Sequence, residues 1–466
     1  NADFDEQLYS LIGNAMLDGK LPFVDLWDRK PWGFFAIFAA AHWIGGPGPL
    51  AYQALGTVFT LAGALMTVAL ARKFVDRPTS LVAGTLYVLL MTIYGAFSGN
   101  SEVFHVPMML AMAILVRDVD HPQARSRALA AMLIGGLALQ VKYTVFPQCL
   151  FFGLWALWGQ YRHGTGLIAL AGLATLFAVI GVLPTALVGA GYAFAGHWDA
   201  FVFANFQSFF DRTPADQGRM NAVSAIGIAP LACLAAIGLI AALRSPAFAL
   251  KAHPFSLLWL LAAATTVFLP STTYFYYLAA MAPPIVVLSM PLPVQGEGKR
   301  INLSGTPGEV LSLLKRINLI GIMPGAVLLL LMPQQYQLAH DSRNAMSRLA
   351  NAIAPYVDAS AGRCLLVFDG PTSLYRMSGS CLPSRFVYPD HLNNVLERDA
   401  LGIRQEDEVA RILAGRPPVI VTADTPVTPQ NPEAERRVRD ALKKHYRPLA
   451  TEVLRNRVIR AWVLRS

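Results

Sequence analysis

Four clusters of polar or charged residues adjoin long apolar segments in the first third of the chain. They are Asp5-Glu6, Asp25-Leu26-Trp27-Asp28-Arg29-Lys30-Pro31, Gly99-Asn100-Ser101-Glu102 and Lys142. Ionisable side chains at membrane depth are costly and by default mark a site of chemistry or transport. A carboxylate held there can accept a hydroxyl proton while a sugar is transferred from a good leaving group. A Lys or Arg at headgroup level can hold a lipid-linked phosphate. If all four clusters lie on one side of the membrane, they can form one site.

Each cluster also has a plainer explanation. Asp5-Glu6 precedes Leu8, Tyr9, Ile12, Ala15 and Met16, the spacing of a short amphipathic helix on a membrane surface, whose first-turn acids would complement the macrodipole. Arg29 and Lys30 could snorkel to headgroups, and Pro31 suits the first helical position. Asn100 and Ser101 before Glu102 read as ordinary capping, and His105 one turn later as packing or as part of the same pocket. Lys142 is either the outer tip of a hairpin, open to an anion, or a charge within one bent span that needs a partner. Arg212 and Arg219 are weaker phosphate candidates in a loop over 191–221.

The elements that must position these residues follow from composition. Of 466 residues, 55% are hydrophobic and 14% charged, against roughly 25% charged in soluble domains. Apolar runs long enough to span a bilayer fall at 49–71, 79–97, 102–117, 126–141, 144–160, 166–190, 222–243, 255–270, 274–292 and 317–333. Residues 31–45 are too short to span and read as interfacial. That choice places the loops carrying Arg72, Lys73 and Arg77, Arg117, Arg125 and Arg127, Arg162, Arg244 and Lys251, and Lys299, Arg300, Lys315 and Arg316 inside. Asp5, Lys30, Glu102, Lys142, the stretch Ser271–Tyr277 and the C-terminal region then face outward. The chain begins at Asn1, and a helix before it would bring the count to about eleven spans. Residues 1–333 are therefore expected to form a membrane domain, with 1–48 as its first outer loop, and 334–466 a soluble one.

The net charge of +9 does not point to nucleic acid, because the basic residues sit between apolar runs with no aromatic-interleaved stripe. No P-loop and no zinc-ligand spacing is present. Cys149 and Cys233 lie in apolar runs as packing residues, whereas Cys364 and Cys381 can pair in an oxidising compartment. Apolar runs at Cys364–Phe368 and Pro418–Thr422, alternation near Val453–Val463 and a helical stretch at Ala434–His445 predict a small α/β domain.

In order along the chain, these motifs resemble the bacterial GT-C membrane glycosyltransferases: aminoarabinose-to-lipid-A transferases, RgtA-type galacturonosyltransferases and relatives of protein O-mannosyltransferases. The resemblance rests on Asp5-Glu6-x-x-Tyr9, Gly19-Lys20-Leu21-Pro22, Asp28-x-Lys30-Pro31, Asn100-Ser101-Glu102, Gly136-Leu137-Ala138-x-x-x-Lys142-Tyr143 and Tyr276-Tyr277-x-x-x-x-x-Pro283-Pro284. Val367-Phe368-Asp369-Gly370 through Pro389-Asp390-His391-Leu392 extends it into the tail. Leu8, Trp32 and Tyr276 depart from the Arg, Pro and His that family members carry at those positions.

The resemblance implies inverting transfer from a polyprenyl-phosphate sugar to a lipid or glycan acceptor of the cell envelope, at the periplasmic face of a bacterial inner membrane. Asp5 would be the base with Glu6 beside it. Lys30 and Lys142, helped by Arg29, Arg212 and Arg219, would neutralise the leaving phosphate. Glu102 would be a second acid binding acceptor, sugar or a metal, with Mg or Mn the cofactor left open. Tyr9, Asp28, Asn100, His105, Tyr274, Tyr276 and Tyr277 would contact substrate. A lipid-linked sugar flippase and a protein O-glycosyltransferase are the competing functions.

Overall fold

The computed structural model describes residues 4–215, 223–244, 253–290 and 323–465. Helices dominate up to residue 353: α1 Phe4–Leu17, α2 Trp32–Gly45, α3 Pro49–Ala71, α4 Arg77–Ile93, α5 Ser101–Val116, α6 Ala124–Leu139, α7 Phe146–Arg162, α8 Leu167–Phe194, α9 Ala225–Arg244, α10 Pro254–Phe268, α11 Ala282–Ser289 and α12 Met323–Ile353. Local chemistry sets several of their starts. The Asp76 carboxylate caps α4 by accepting from the Thr79 N–H at 3.1 Å, and Asn100 Oδ1 caps α5 by accepting from the Glu102 N–H at 3.0 Å. Pro31, expected at the first helical position, instead takes the extended cap position before α2 (ψ 148°).

Among the described residues, α3 and α8 are long and apolar enough to cross a membrane by length and composition. The other apolar helices are shorter, including most of those read as spans from hydropathy. The expected span 274–292 is broken into a 3₁₀ segment, Phe275–Met281, and α11, which begins with Pro283 and Pro284 in its first turn. Neither proline can donate a backbone hydrogen bond, and both are accommodated in the first turn, where that donor has no partner within the helix. The run 166–190 is longer than expected, and the loop predicted after it holds a short helix, Trp198–Val202, and a π turn, Phe203–Gln207. Helix α12 runs through the hydropathy boundary at 333/334, because a change from apolar to polar side chains does not by itself interrupt backbone hydrogen bonding. Residues 299–300 and 315–316, whose charges helped set the topology, lie outside the described residues, as does Lys251.

By contact the chain forms two compact units. One comprises Asn1–Tyr52, Gly189–Pro214 and Leu331–Ser466; the other comprises Gln53–Val188 and Ala215–Leu330. The second has an apolar core to which α4, α5, α6, α7, α10 and α11 contribute, with Tyr87, Phe152 and Trp259 fully buried. Cys149 is half-buried there, but Cys233, expected to pack, is exposed.

In the first unit α1 and α2 cross closely. A Cβ on Gly13 would lie 2.6 Å from that of Phe38, so only glycine permits this approach. Tyr9 packs against Phe34, Phe35 and Phe38, with ring centroids 4.8, 6.2 and 5.8 Å away. The loop between the two helices is pinned by buried aromatic residues. The Trp27 ring centroid lies 5.4 Å from that of Phe203 and 6.0 Å from that of Phe386, and the Trp27 backbone N–H donates to the Arg385 carbonyl at 2.9 Å.

The C-terminal part of this unit carries a four-stranded sheet of order β1-β2-β4-β3, from β1 Leu366–Val367, β2 Val419–Ala423, β3 Tyr446–Leu454 and β4 Arg457–Leu464. β1 and β2 are parallel, and the other pairs antiparallel. The alternation read near 453–463 belongs to the β3–β4 hairpin, which turns at Arg455 (φ 57°). Helix α13 Gln405–Ala414 and helix α14 Pro432–His445, the latter capped by Asn431, complete the α/β fold expected of the tail.

Cys364 and Cys381 form a disulfide with a sequence separation of 17. Closing a loop of that length contributes about 3 kcal/mol in the chain-entropy account. Intact-mass analysis without reductant should show a loss of two hydrogens, and two free thiols in folded protein would contradict the bond.

Candidate functional site

Asp5 and Glu6 fall in the first turn of α1, where Asp5 is half-buried and Glu6 buried. The Tyr388 hydroxyl donates to Asp5 Oδ1 at 2.6 Å. Two residues further along α1, Gln7 Oε1 accepts from the Ser373 N–H at 3.1 Å and the Ser373 hydroxyl at 2.8 Å. The proposed base is therefore held from the C-terminal region. Sequence reasoning missed Tyr388, although the motif beginning at Pro389 adjoins it; a single Tyr before a Pro gives no local sign of a partner some 380 residues away.

The second cluster divides. Lys30 Nζ lies 5.8 Å from the Tyr9 ring centroid and 6.0 Å from that of Phe34, so aromatic faces flank a half-buried cation. Asp28 Oδ1 accepts from the Lys30 backbone N–H at 2.7 Å. Burial pushes the Asp28 carboxyl up to about 6, against the pull of that N–H and of the Lys30 and Arg29 charges.

Arg29 and Arg212, both phosphate candidates, converge on one carboxylate, Glu397. Arg29 pairs with it through both terminal nitrogens, and Arg212 Nε donates to Oε1 at 2.6 Å. Two guanidiniums and one carboxylate leave a net single positive charge. Burial alone would raise the Glu397 carboxyl, but Arg29 and then Arg212 overcome it and hold it down to about 2. Arg219 lies outside the described residues.

The folded state thus favours ionised Glu397 relative to the unfolded chain, where the value is 4.5. The stability this group adds is complete above about 4.5 and is lost as pH falls through about 2. Glu397→Gln should cost about 3 kcal/mol at neutral pH, the low end for a broken buried pair because both arginines reach solvent. Thermal midpoints of wild type and variant should converge on acidification below about pH 4.5. A gap unchanged at pH 3 would contradict this account.

In the other unit, Glu102 is fully buried at the start of α5 and ion-pairs with Lys142, while Ser101 Oγ donates to Glu102 Oε2 at 2.9 Å. His105 Nε2 stands 3.8 Å from Glu102 Oε1. Lys142 sits at the turn between α6 and the 3₁₀ segment Tyr143–Val145, yet it is buried rather than offered at an outer tip. Its ammonium also caps the Tyr277 ring at 3.4 Å from the centroid and approaches that of Tyr276 at 5.8 Å. Tyr274 and Tyr276 stack at 5.5 Å with nearly parallel planes. Asn100, Glu102, His105, Lys142 and the three tyrosines are thus brought together, with Asn100 serving as the cap.

These residues do not fit the divalent metal left open at Glu102. The carboxylate oxygen nearest His105 already carries the Lys142 ammonium, which would repel a dication. Among the described residues, no group of three or more His, Cys, Asp or Glu side chains converges as a metal site.

Two solved structures match over nearly the whole chain. One is ArnT from Cupriavidus metallidurans in the apo state, with a TM-score of 0.64 at 14% identity, covering 98% of this chain and 92% of that one. The chain has the fold of ArnT. The other is ArnT from the same organism bound to undecaprenyl phosphate, with a TM-score of 0.62 at 15% identity and coverage of 98% and 93%. No protein-family model matches the sequence, and comparison with curated proteins gives no significant match. The ArnT-like fold accounts for both the helical portion and the small C-terminal sheet.

Proposed function

We propose that this protein is an inverting glycosyltransferase that moves a sugar from a polyprenyl-phosphate donor to a lipid or glycan of the cell envelope. The observation that carries the reading is the likeness, over 98% of the chain, to an ArnT structure with bound undecaprenyl phosphate. The short apolar helices that accompany α3 and α8 suit a bundle of tilted or broken spans, with the acids and the C-terminal domain on the periplasmic side.

In this reaction the acceptor hydroxyl attacks the anomeric carbon opposite the leaving group. Asp5 takes the hydroxyl proton as the new C–O bond forms. The bond from the anomeric carbon to the phosphate oxygen breaks, and polyprenyl phosphate departs as an anion. Cations that meet this growing charge, Lys30 and Lys142, lower the barrier more than they tighten ground-state binding. Glu6 and Glu102 are the supporting acids, and Tyr9, Asp28, His105, Tyr274, Tyr276 and Tyr277 the substrate contacts. One carboxylate suffices for a single displacement, by analogy with inverting glycosidases.

The test uses purified full-length protein in nanodiscs with undecaprenyl-phosphate-linked aminoarabinose, galacturonic acid or mannose, and envelope lipid extract as acceptor. Release of undecaprenyl phosphate, followed by mass spectrometry, is the expected result. Movement of intact donor between leaflets without cleavage would replace the transferase with a flippase.

A further inference from the structure

The C-terminal domain can be a lid, an acceptor-binding module or part of the catalytic machinery. We infer that it supplies Tyr388 as the positioning residue of the base, so that the domain is a working part of the reaction centre. This inference rests on the proposed transferase activity and goes beyond it.

Three observations carry it. The Tyr388 hydroxyl donates to Asp5 Oδ1 at 2.6 Å, a short charge-assisted bond. A carboxylate at the first turn of a helix rotates about two side-chain torsions, and a donor fixed to one oxygen selects the rotamer in which the remaining lone pairs face one direction. Tyr388 is itself fixed: its ring packs edge-on against His391 at 5.3 Å, and Pro389 stiffens the chain directly after it. His391 is buried, and burial pushes its imidazole down to about 3, so the group behind the tyrosine is neutral and does not compete for the carboxylate's charge.

The surrounding bonds make this contact a designed registration rather than a chance approach. Gln7–Ser373 and the bond from the Trp27 backbone N–H to the Arg385 carbonyl also tie α1 and its following loop to the same domain. Tyr388 accepts no proton and touches no reacting atom in this scheme. Its effect passes through Asp5, by holding the base in the orientation that meets the acceptor hydroxyl.

The experiment compares wild type, Tyr388→Phe, Ser373→Ala, Asp5→Asn and the double variant Asp5→Asn/Tyr388→Phe, all full length in nanodiscs, by undecaprenyl phosphate release. Tyr388→Phe keeps the ring and its packing while removing the donor. It should lower kcat by about 10–100-fold with donor KM within about twofold and an unchanged thermal midpoint. Ser373→Ala removes only the hydroxyl bond to Gln7 and leaves the Ser373 backbone N–H bonded to it, so it should retain kcat. In the Asp5→Asn background the Tyr388→Phe change should have little further effect, since a positioning residue has nothing left to position. If Tyr388→Phe unfolds, Tyr388→His, which keeps a ring and an N–H donor, should restore kcat above that of Tyr388→Leu. Wild-type kcat in Tyr388→Phe, or equal losses with and without Asp5, overturns the inference while leaving the transferase standing. Absence of wild-type turnover overturns both.

Discussion

Asp5→Asn is expected to reduce turnover by about 10²–10⁴-fold, or roughly 3–5 kcal/mol of barrier, in protein that folds and binds donor normally. Asparagine keeps the shape of the side chain, and its amide oxygen can still accept the Tyr388 hydroxyl, so the contact with the C-terminal domain survives. What is lost is the capacity to take a proton. The loss should appear in kcat with donor KM little changed, because the base acts on the acceptor and not on the donor phosphate. Activity near wild type in a defined donor–acceptor assay would remove Asp5 from the base's role and leave Glu6 or Glu102.

The second large effect concerns Lys142, and the structure changes what is expected of it. Seen as a cation open to phosphate, Lys142→Ala would slow the reaction and also weaken donor binding. Because Lys142 is paired with fully buried Glu102, its removal leaves a buried carboxylate without its cation, which costs about 3–5 kcal/mol. The single variant should therefore lose folded yield and thermal stability before its kinetics can be read. Glu102→Gln combined with Lys142→Met removes both charges at similar volume and should recover most of that stability. Turnover should remain low in the double variant, since the charge proposed to oppose the leaving phosphate is gone. Recovery of stability and turnover together would make the pair a purely structural ion pair. A double variant no more stable than Lys142→Ala would contradict the buried-charge account.

What the sequence disclosed was local. The amphipathic spacing of Leu8, Tyr9 and Ile12 anticipates their burial in α1, and Asn100 before Glu102 anticipates its cap. The tail's two apolar strands, its helix ending at His445 and its disulfide were legible from runs and spacing. Partners were not. Arg29 and Arg212 carry no mark of Glu397, which lies 368 and 185 residues away, so they read as cations awaiting phosphate when each already has a carboxylate. Lys142 left two possibilities that only the position of Glu102, 40 residues earlier, decides. Hydropathy failed for a different reason. It reports the medium around side chains, so it missed both the continuation of α12 past 333 and the break that Pro283 and Pro284 help impose within 274–292.

The central claim is a single displacement at the anomeric carbon of a polyprenyl-phosphate sugar, assisted by one carboxylate. The configuration of the transferred sugar tests it most directly. Donor of defined anomeric configuration is incubated with the full-length protein and acceptor extract, and the isolated product is assigned by the one-bond carbon–proton coupling at the anomeric centre. Inversion relative to the donor is the predicted result, lost together with product formation in Asp5→Asn. Retention of configuration would require a covalent glycosyl-enzyme and two displacements, and would contradict the account.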